Sequence, residues 1–261
     1  MLFDKKFDLV VSIGEDCACT SYLRRFNLQD FSFPFDWLTK ASFETCTKLL
    51  INKFDNFLNK ENLVLMQKTK NTNVDNKHDY YIDSVLDFYF YHDFRININF
   101  DEEYENVKEK YTRRINRLYK EIDSSKNILF VWWSRDKHQD ENVIVESYQK
   151  LKEKFKNREI HLLLIEPSDN QTSKYLCDGY VLIESYVNIS YKHNPKWNET
   201  MGNEENNIKL FSQIKKVRTL EWYFRIFIFK FVKIFISLIP NRELRHTLKD
   251  SWSYKFFRNK L

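Results

Sequence analysis

The chain has 261 residues, 43% of them apolar and 30% charged, which is ordinary for a globular protein and enough for one large domain or a core with appendages. Its net charge of +5 is unevenly spread: from Lys215 onward 12 Lys/Arg face 3 Asp/Glu, a local +9 that leaves −4 for the rest. The main body therefore gives no sign of a nucleic-acid footprint, and the basic excess belongs to the tail.

Phe7 to Ile13, FDLVVSI, reads as a buried strand, because apolar and β-branched residues run almost unbroken. GED breaks it, and CACTSYLRRF then reads as a short helix with Tyr22, Leu23 and Phe26 available for packing. A second helix is predicted from Ser42 to Phe57, with Ser42 as its cap and Phe43, Cys46, Leu49, Leu50 and Phe54 as its buried stripe. Residues 66 to 80 read as a polar loop or disordered insertion, and Val85 to Phe94 is an aromatic-rich stretch ending in YHDF. The clearest helix begins near Asp101, where Tyr104, Val107, Tyr111, Ile115, Leu118 and Ile122 recur every three or four residues. Asn127 to Trp133, Glu159 to Glu166 and Tyr180 to Val187 are strand candidates, with a helix from Val143 to Phe155 between the first two. Apolar strands alternating with helical patterns predict an α/β fold: three layers, a mostly parallel sheet with helices on both faces, and a C-terminal amphipathic helix. The expected domains are 1–214, an α/β domain carrying Cys17, and 215–261, a basic aromatic tail. Gly14 stands alone where a dinucleotide fold needs three glycines.

Four cysteines occur, Cys17, Cys19, Cys46 and Cys177, and the apolar run at the amino end is too short for a signal-peptide core. The expectation is a cytoplasmic protein with reduced thiols. Cys17 and Cys19 lack a second close pair and a nearby His, so no metal and no cofactor are expected. Ligands of open α/β sheets bind beyond the carboxyl ends of the strands, and Cys17 falls four residues past Ile13, in the first turn of a helix. There the free backbone N–H groups and the helix dipole favour thiolate over thiol and can hold an oxyanion. The plainer alternative is a small buried residue packing helix on strand.

A cysteine nucleophile needs a base, usually an imidazole. Of six histidines, His78 lies in the polar insertion, His246 in the basic tail and His161 inside an apolar strand. His92 ranks slightly ahead of His193, with His138 also in a loop that can reach the same edge. In FPFDWL, from Phe33 to Leu38, Pro34 stiffens the backbone while Phe35 and Trp37 anchor a loop that projects Asp36 or is merely a packed turn.

These blocks resemble a bacterial family of uncharacterised proteins known as putative papain-like cysteine peptidases, often found among cell-surface polysaccharide genes. Its opening, a strand, S-[IL]-G-x-x-C, LRR-x-x-L and PFDW, is met by Ser12, Gly14, Cys17, Leu23, Arg24, Arg25, Leu28 and Pro34 to Trp37. HDF at His92 to Phe94, the basic helix from Lys108 to Arg117 and NILFVWW match as well. The resemblance covers residues 7 to 135 well and the following 60 loosely. It implies Cys17 as nucleophile, His92 as base and Asp36 as a further catalytic-site residue. Arg135, His193 and Trp197 correspond to later family positions that would bind substrate, and Arg24 or Arg25 would meet an anionic substrate unless they are solvated. A papain fold would set the cysteine on a long central helix before an antiparallel barrel; the pattern here differs, so the name speaks for Cys–His chemistry. A similar-looking class in capsule biosynthesis uses Cys and His for acetyl transfer. Acyl transfer or hydrolysis on a cell-surface glycan or its precursor is accordingly expected ahead of proteolysis, with a glycan or glycolipid precursor and an acyl donor as partners.

Arg218 to Leu238 forms an amphipathic pattern of aromatic and basic residues too short in its uncharged stretches to span a bilayer. It suits peripheral attachment to an anionic inner membrane face, or packing on the core or at a dimer interface. Two other functions stand beside the enzyme: a non-catalytic glycan-binding or scaffold protein of the same pathway, and a glycosyltransferase, for which no convincing D-x-D motif is present.

Overall fold

The computed structural model describes residues 2–15, 17–67, 78–96, 98–134, 139–168, 171–187, 204–218 and 220–241. The chain forms two compact units, Met1–Lys216 and Val217–Leu261. The first contains, in chain order, β1 (Lys6–Phe7), β2 (Leu9–Ser12), α1 (Cys17–Arg25), β3 (Leu38–Thr39), α2 (Phe43–Ile51), β4 (Leu63–Gln67), β5 (His78–Asp83) and β6 (Phe88–Arg95). It continues with α3 (Phe100–Ser124), β7 (Asn127–Trp133), α4 (Glu141–Lys154), β8 (Glu159–Ser168), β9 (Thr172–Leu176), β10 (Val181–Val187), α5 (Glu204–Gln213) and β11 (Lys215–Lys216). The second unit contains α6 (Leu220–Ser237).

The central sheet has the order β2-β7-β8-β10-β9, with β2, β7, β8 and β10 parallel and β9 antiparallel at the edge. Successive strand residues point to opposite faces, which splits the apolar runs into two cores. Leu9, Val11, Phe130 and Trp132 join one, with Phe43 and Leu50 of α2, Val107 and Leu118 of α3, and Ile144 and Leu151 of α4. Val10, Leu129, Val131 and Trp133 join the other, with Cys19 and Leu23 of α1 and Phe211 of α5. Helices thus flank the sheet on both sides, as expected of strands apolar on both faces.

Three expectations need correction. The strand from Phe7 to Ile13 is broken at Asp8, whose carboxylate accepts the N–H groups of Lys126 and Asn127 at 2.9 Å each, at the entry to β7. The helix from Ser42 to Phe57 does start on its Ser42 cap, which accepts the Thr45 N–H at 3.1 Å, but stops at Ile51. Beyond it Lys53, Phe54, Asn56 and Leu58 take positive φ, and the turn carries Phe54 onto Phe35 at 5.0 Å between ring centroids.

The third correction concerns the sheet. A second, four-stranded antiparallel sheet, β3-β6-β5-β4, makes the fold a mixed parallel and antiparallel one. Part of it occupies the stretch expected to be a polar loop. Phe88 and Phe90 of β6 point into the first core while Tyr89 and Tyr91 lie half-buried on the opposite face. Aromatic residues on both faces hide the apolar–polar alternation by which such a strand is normally recognised.

Candidate active site

The loop from β2 to α1 is tied to the end of β7. Trp133 donates its N–H to Gly14 O at 3.0 Å, Glu15 N–H returns to Trp133 O at 3.1 Å, and the Ser134 hydroxyl meets Glu15 Oε2 at 3.3 Å. Gly14 has φ +122, and a Cβ there would stand 2.7 Å from Trp132 Cζ3, so both backbone and space require glycine. Cys17 is the first residue of α1, just past this loop at the carboxyl edge of the parallel sheet. Its relative exposure is 8%, yet among the described residues it is the one buried apolar residue that joins neither core. Cys19 and Cys46, by contrast, belong to the cores on either side.

Burial pushes the Cys17 thiol up to about 11, against a smaller opposing pull from its own backbone N–H. The expected thiolate is therefore not the resting state: loss of hydration outweighs the helix terminus. At pH 7 a thiol at about 11 ionises in roughly one molecule in ten thousand, so attack needs a base that takes the proton as the bond forms.

Asp36 is fully buried in the PFDW turn and surrounded by donors. The Thr20 hydroxyl and Arg24 Nη2 each reach it at 3.1 Å, Gln29 Nε2 lies 2.9 and 2.8 Å from its two oxygens, and the Phe33 N–H donates at 2.9 Å. Burial raises its carboxyl above the ordinary value, opposed chiefly by Arg24, then Gln29 and the Phe33 N–H. These contacts bind α1 to the turn that leads into β3. Thr20 and Arg24 are three and seven residues after Cys17, so all three occupy one stripe of α1, and that stripe faces the PFDW turn.

Trp37 carries the arrangement on to β6. The Arg24 guanidinium lies 5.5 Å from the Trp37 ring, and His92 meets that ring edge-on at 6.3 Å. His78 stands against His92, again edge-on at 6.3 Å, so a histidine expected to lie within a polar insertion instead opens β5 and shares the expected base's surroundings. Asp93 points the other way, accepting Lys110 Nζ at 2.5 Å and the Tyr111 hydroxyl at 3.0 Å, and so holds β6 on α3 instead of orienting His92. His161, expected inside an apolar strand, is wholly buried, stacked on Tyr180 at 5.0 Å, and desolvation lowers it to about 4, which fits a structural role.

The structure thus joins Arg24, Asp36, Trp37, His92 and His78 in one run of contacts beside α1, the helix that Cys17 opens. Arg135, His138, His193 and Trp197 lie outside the described residues. Thr20 and Gln29 were missed because neither residue type nor spacing marks a partner of a carboxylate seven or sixteen residues away. Among the described residues no three His, Cys, Asp or Glu side chains gather as a metal site.

Residues 8–170 match the family described as "Putative papain-like cysteine peptidase (DUF1796)", a span that includes Cys17, Asp36 and His92. Uncharacterized protein R408 of Acanthamoeba polyphaga mimivirus is 29% identical over 181 residues, 64% of this chain and 75% of that protein. No solved structure matches. With well over half of its length aligned, the chain belongs to the putative papain-like cysteine peptidase family, DUF1796.

Proposed function

We propose that the protein is a Cys17-dependent enzyme that transfers or hydrolyses an acyl group on a cell-surface glycan or its precursor. The observation that carries this reading is the position of Cys17: at the start of a helix, on the ligand-binding edge of a parallel sheet, outside both cores. In the proposed reaction Cys17 Sγ attacks the carbonyl carbon of an ester, thioester or amide while His92 takes the thiol proton. Backbone N–H groups of the first turn of α1 receive the oxyanion. The protonated imidazole then gives its proton to the departing oxygen, sulfur or nitrogen, leaving an acyl thioester on Cys17. Water or a sugar hydroxyl, deprotonated by the imidazole, attacks that thioester and releases the thiol. Asp36 acts as a positioning residue, fixing the α1 stripe against the turn that carries Trp37.

The carbohydrate part of the reading draws on the outer face of the antiparallel sheet. Tyr80, Tyr89 and Tyr91 lie half-buried there, edge to face at 5.1 and 5.5 Å, on the sheet that bears His92. Tyr89 and Tyr91 offer an apolar ring face and a polar hydroxyl together, a combination suited to a sugar ring, while the Tyr80 hydroxyl is enclosed and its ring only backs theirs. The burial of Cys17 favours a second reading, a glycan-binding protein without chemistry.

Intact-mass measurement separates the two. After incubation with short-chain acyl thioesters and O-acetylated oligosaccharides, an acyl adduct should appear in the native protein and vanish in Cys17→Ala. Oligosaccharide binding that survives Cys17→Ala, with no adduct in the native chain, would establish the second reading.

A further inference from the structure

We infer that α6 seats the protein on an anionic lipid bilayer surface, lying in the interface without crossing it. The inference does not depend on the chemistry at Cys17. Leu220, Phe224, Phe227, Phe231, Phe235 and Leu238 are 89%, 64%, 65%, 53%, 58% and 71% exposed. At 100° per residue they fall within an arc of about 80°, one continuous stripe along the helix. The rings form a connected surface: Phe227 and Phe231 lie 6.1 Å apart and Phe231 and Phe235 4.9 Å. Six large apolar side chains in water on a single stripe exceed the scattered exposure that folded proteins ordinarily carry.

Charge decides between the occupants such a stripe can have. Val217 to Leu261 contains ten Lys/Arg and three Asp/Glu, a net +7. A second copy would set +7 against +7, whereas an anionic headgroup layer supplies the opposite sign while the acyl chains take the rings. Among the described residues no helix is long and apolar enough to cross a membrane, which fits a helix lying in the plane.

The test is co-sedimentation of the full chain with vesicles of pure phosphatidylcholine and with vesicles containing about 30% phosphatidylglycerol. Binding to the anionic vesicles should exceed binding to the neutral ones by at least about tenfold and weaken as salt rises. Phe227→Glu with Phe231→Glu should lower it by a further factor of about a hundred or more, since each buried Phe is worth about tenfold or more. Both positions are exposed, so the fold of the first unit and the labelling of Cys17 should not change, which keeps this test separate from the proposed chemistry. The inference is overturned if the native chain ignores anionic vesicles, or if the double variant binds them equally well. It is also overturned if the native chain is a dimer that the substitutions convert to monomer without altering vesicle binding.

Discussion

Replacing Asp36 with Ala removes the acceptor on which Thr20, Arg24, Gln29 and the Phe33 N–H converge. A helical Thr hydroxyl such as that of Thr20 can turn to a carbonyl of the preceding turn, and Arg24, with 38% of its side chain exposed, can turn to water, so the ion pair itself is worth only about 0–1 kcal/mol. The Phe33 N–H and one Gln29 N–H are left stranded in buried surroundings, at roughly 1–3 kcal/mol each. Relief of the penalty for burying the carboxylate offsets part of this, leaving a net loss of about 2–4 kcal/mol, or a fall in Tm of about 4–16 °C for a unit of this size. Asp36→Asn keeps one oxygen and should lose about 1 kcal/mol. Burial raises the folded-state pKa of Asp36, so its contribution is present in acid and declines as pH rises through that value. The advantage of the native protein over Asp36→Asn should therefore shrink from pH 4 toward neutrality, as read from urea midpoints across pH. An advantage that grows with pH would refute the electrostatic argument. An Asp36→Ala protein of native stability but without activity would make Asp36 a participant in the chemistry instead of an anchor.

Gly14→Ala should cost about 2–4 kcal/mol, combining positive-φ strain with displacement of the Trp132 ring, and an unchanged denaturation midpoint would contradict that. Tyr111→Phe removes the hydroxyl that donates to buried Asp93 and should lower stability by about 1–2 kcal/mol in the same assay, with no loss expected if α3 and β6 are held by ring packing alone. His161→Phe, in a buried and stacked position, should leave Cys17 labelling unchanged; a large loss would point to a functional histidine there.

The parallel sheet was legible because strands such as NILFVWW and HLLLI are apolar on both faces, a pattern few other structures produce. The antiparallel sheet was not. Its β6 carries Phe on one face and Tyr on the other, while β5 begins where a polar segment ends. The position of Cys17 could be read from a strand, a glycine and a helix start, but its protonation could not. The helix terminus that lowers a thiol is written in sequence, whereas the burial that raises it depends on what packs above the loop. Asp36 was recognisable through its stiff PFDW turn, though not its four donors. His78 was discounted on local composition, and only strand pairing brings it beside His92. The family name led to Cys–His chemistry, while the strand before Cys17 led correctly away from a long central helix: α1 has nine residues and follows a parallel strand.

The most direct test of a base-assisted Cys17 is the pH dependence of its alkylation by iodoacetamide, followed by intact mass in the native chain, His92→Ala and His78→Ala. The native rate should persist through neutral pH. His92→Ala should keep only the limb that climbs toward about 11, losing at least about a hundredfold at pH 7.5. Superimposable profiles for the native protein and both histidine variants would contradict the account.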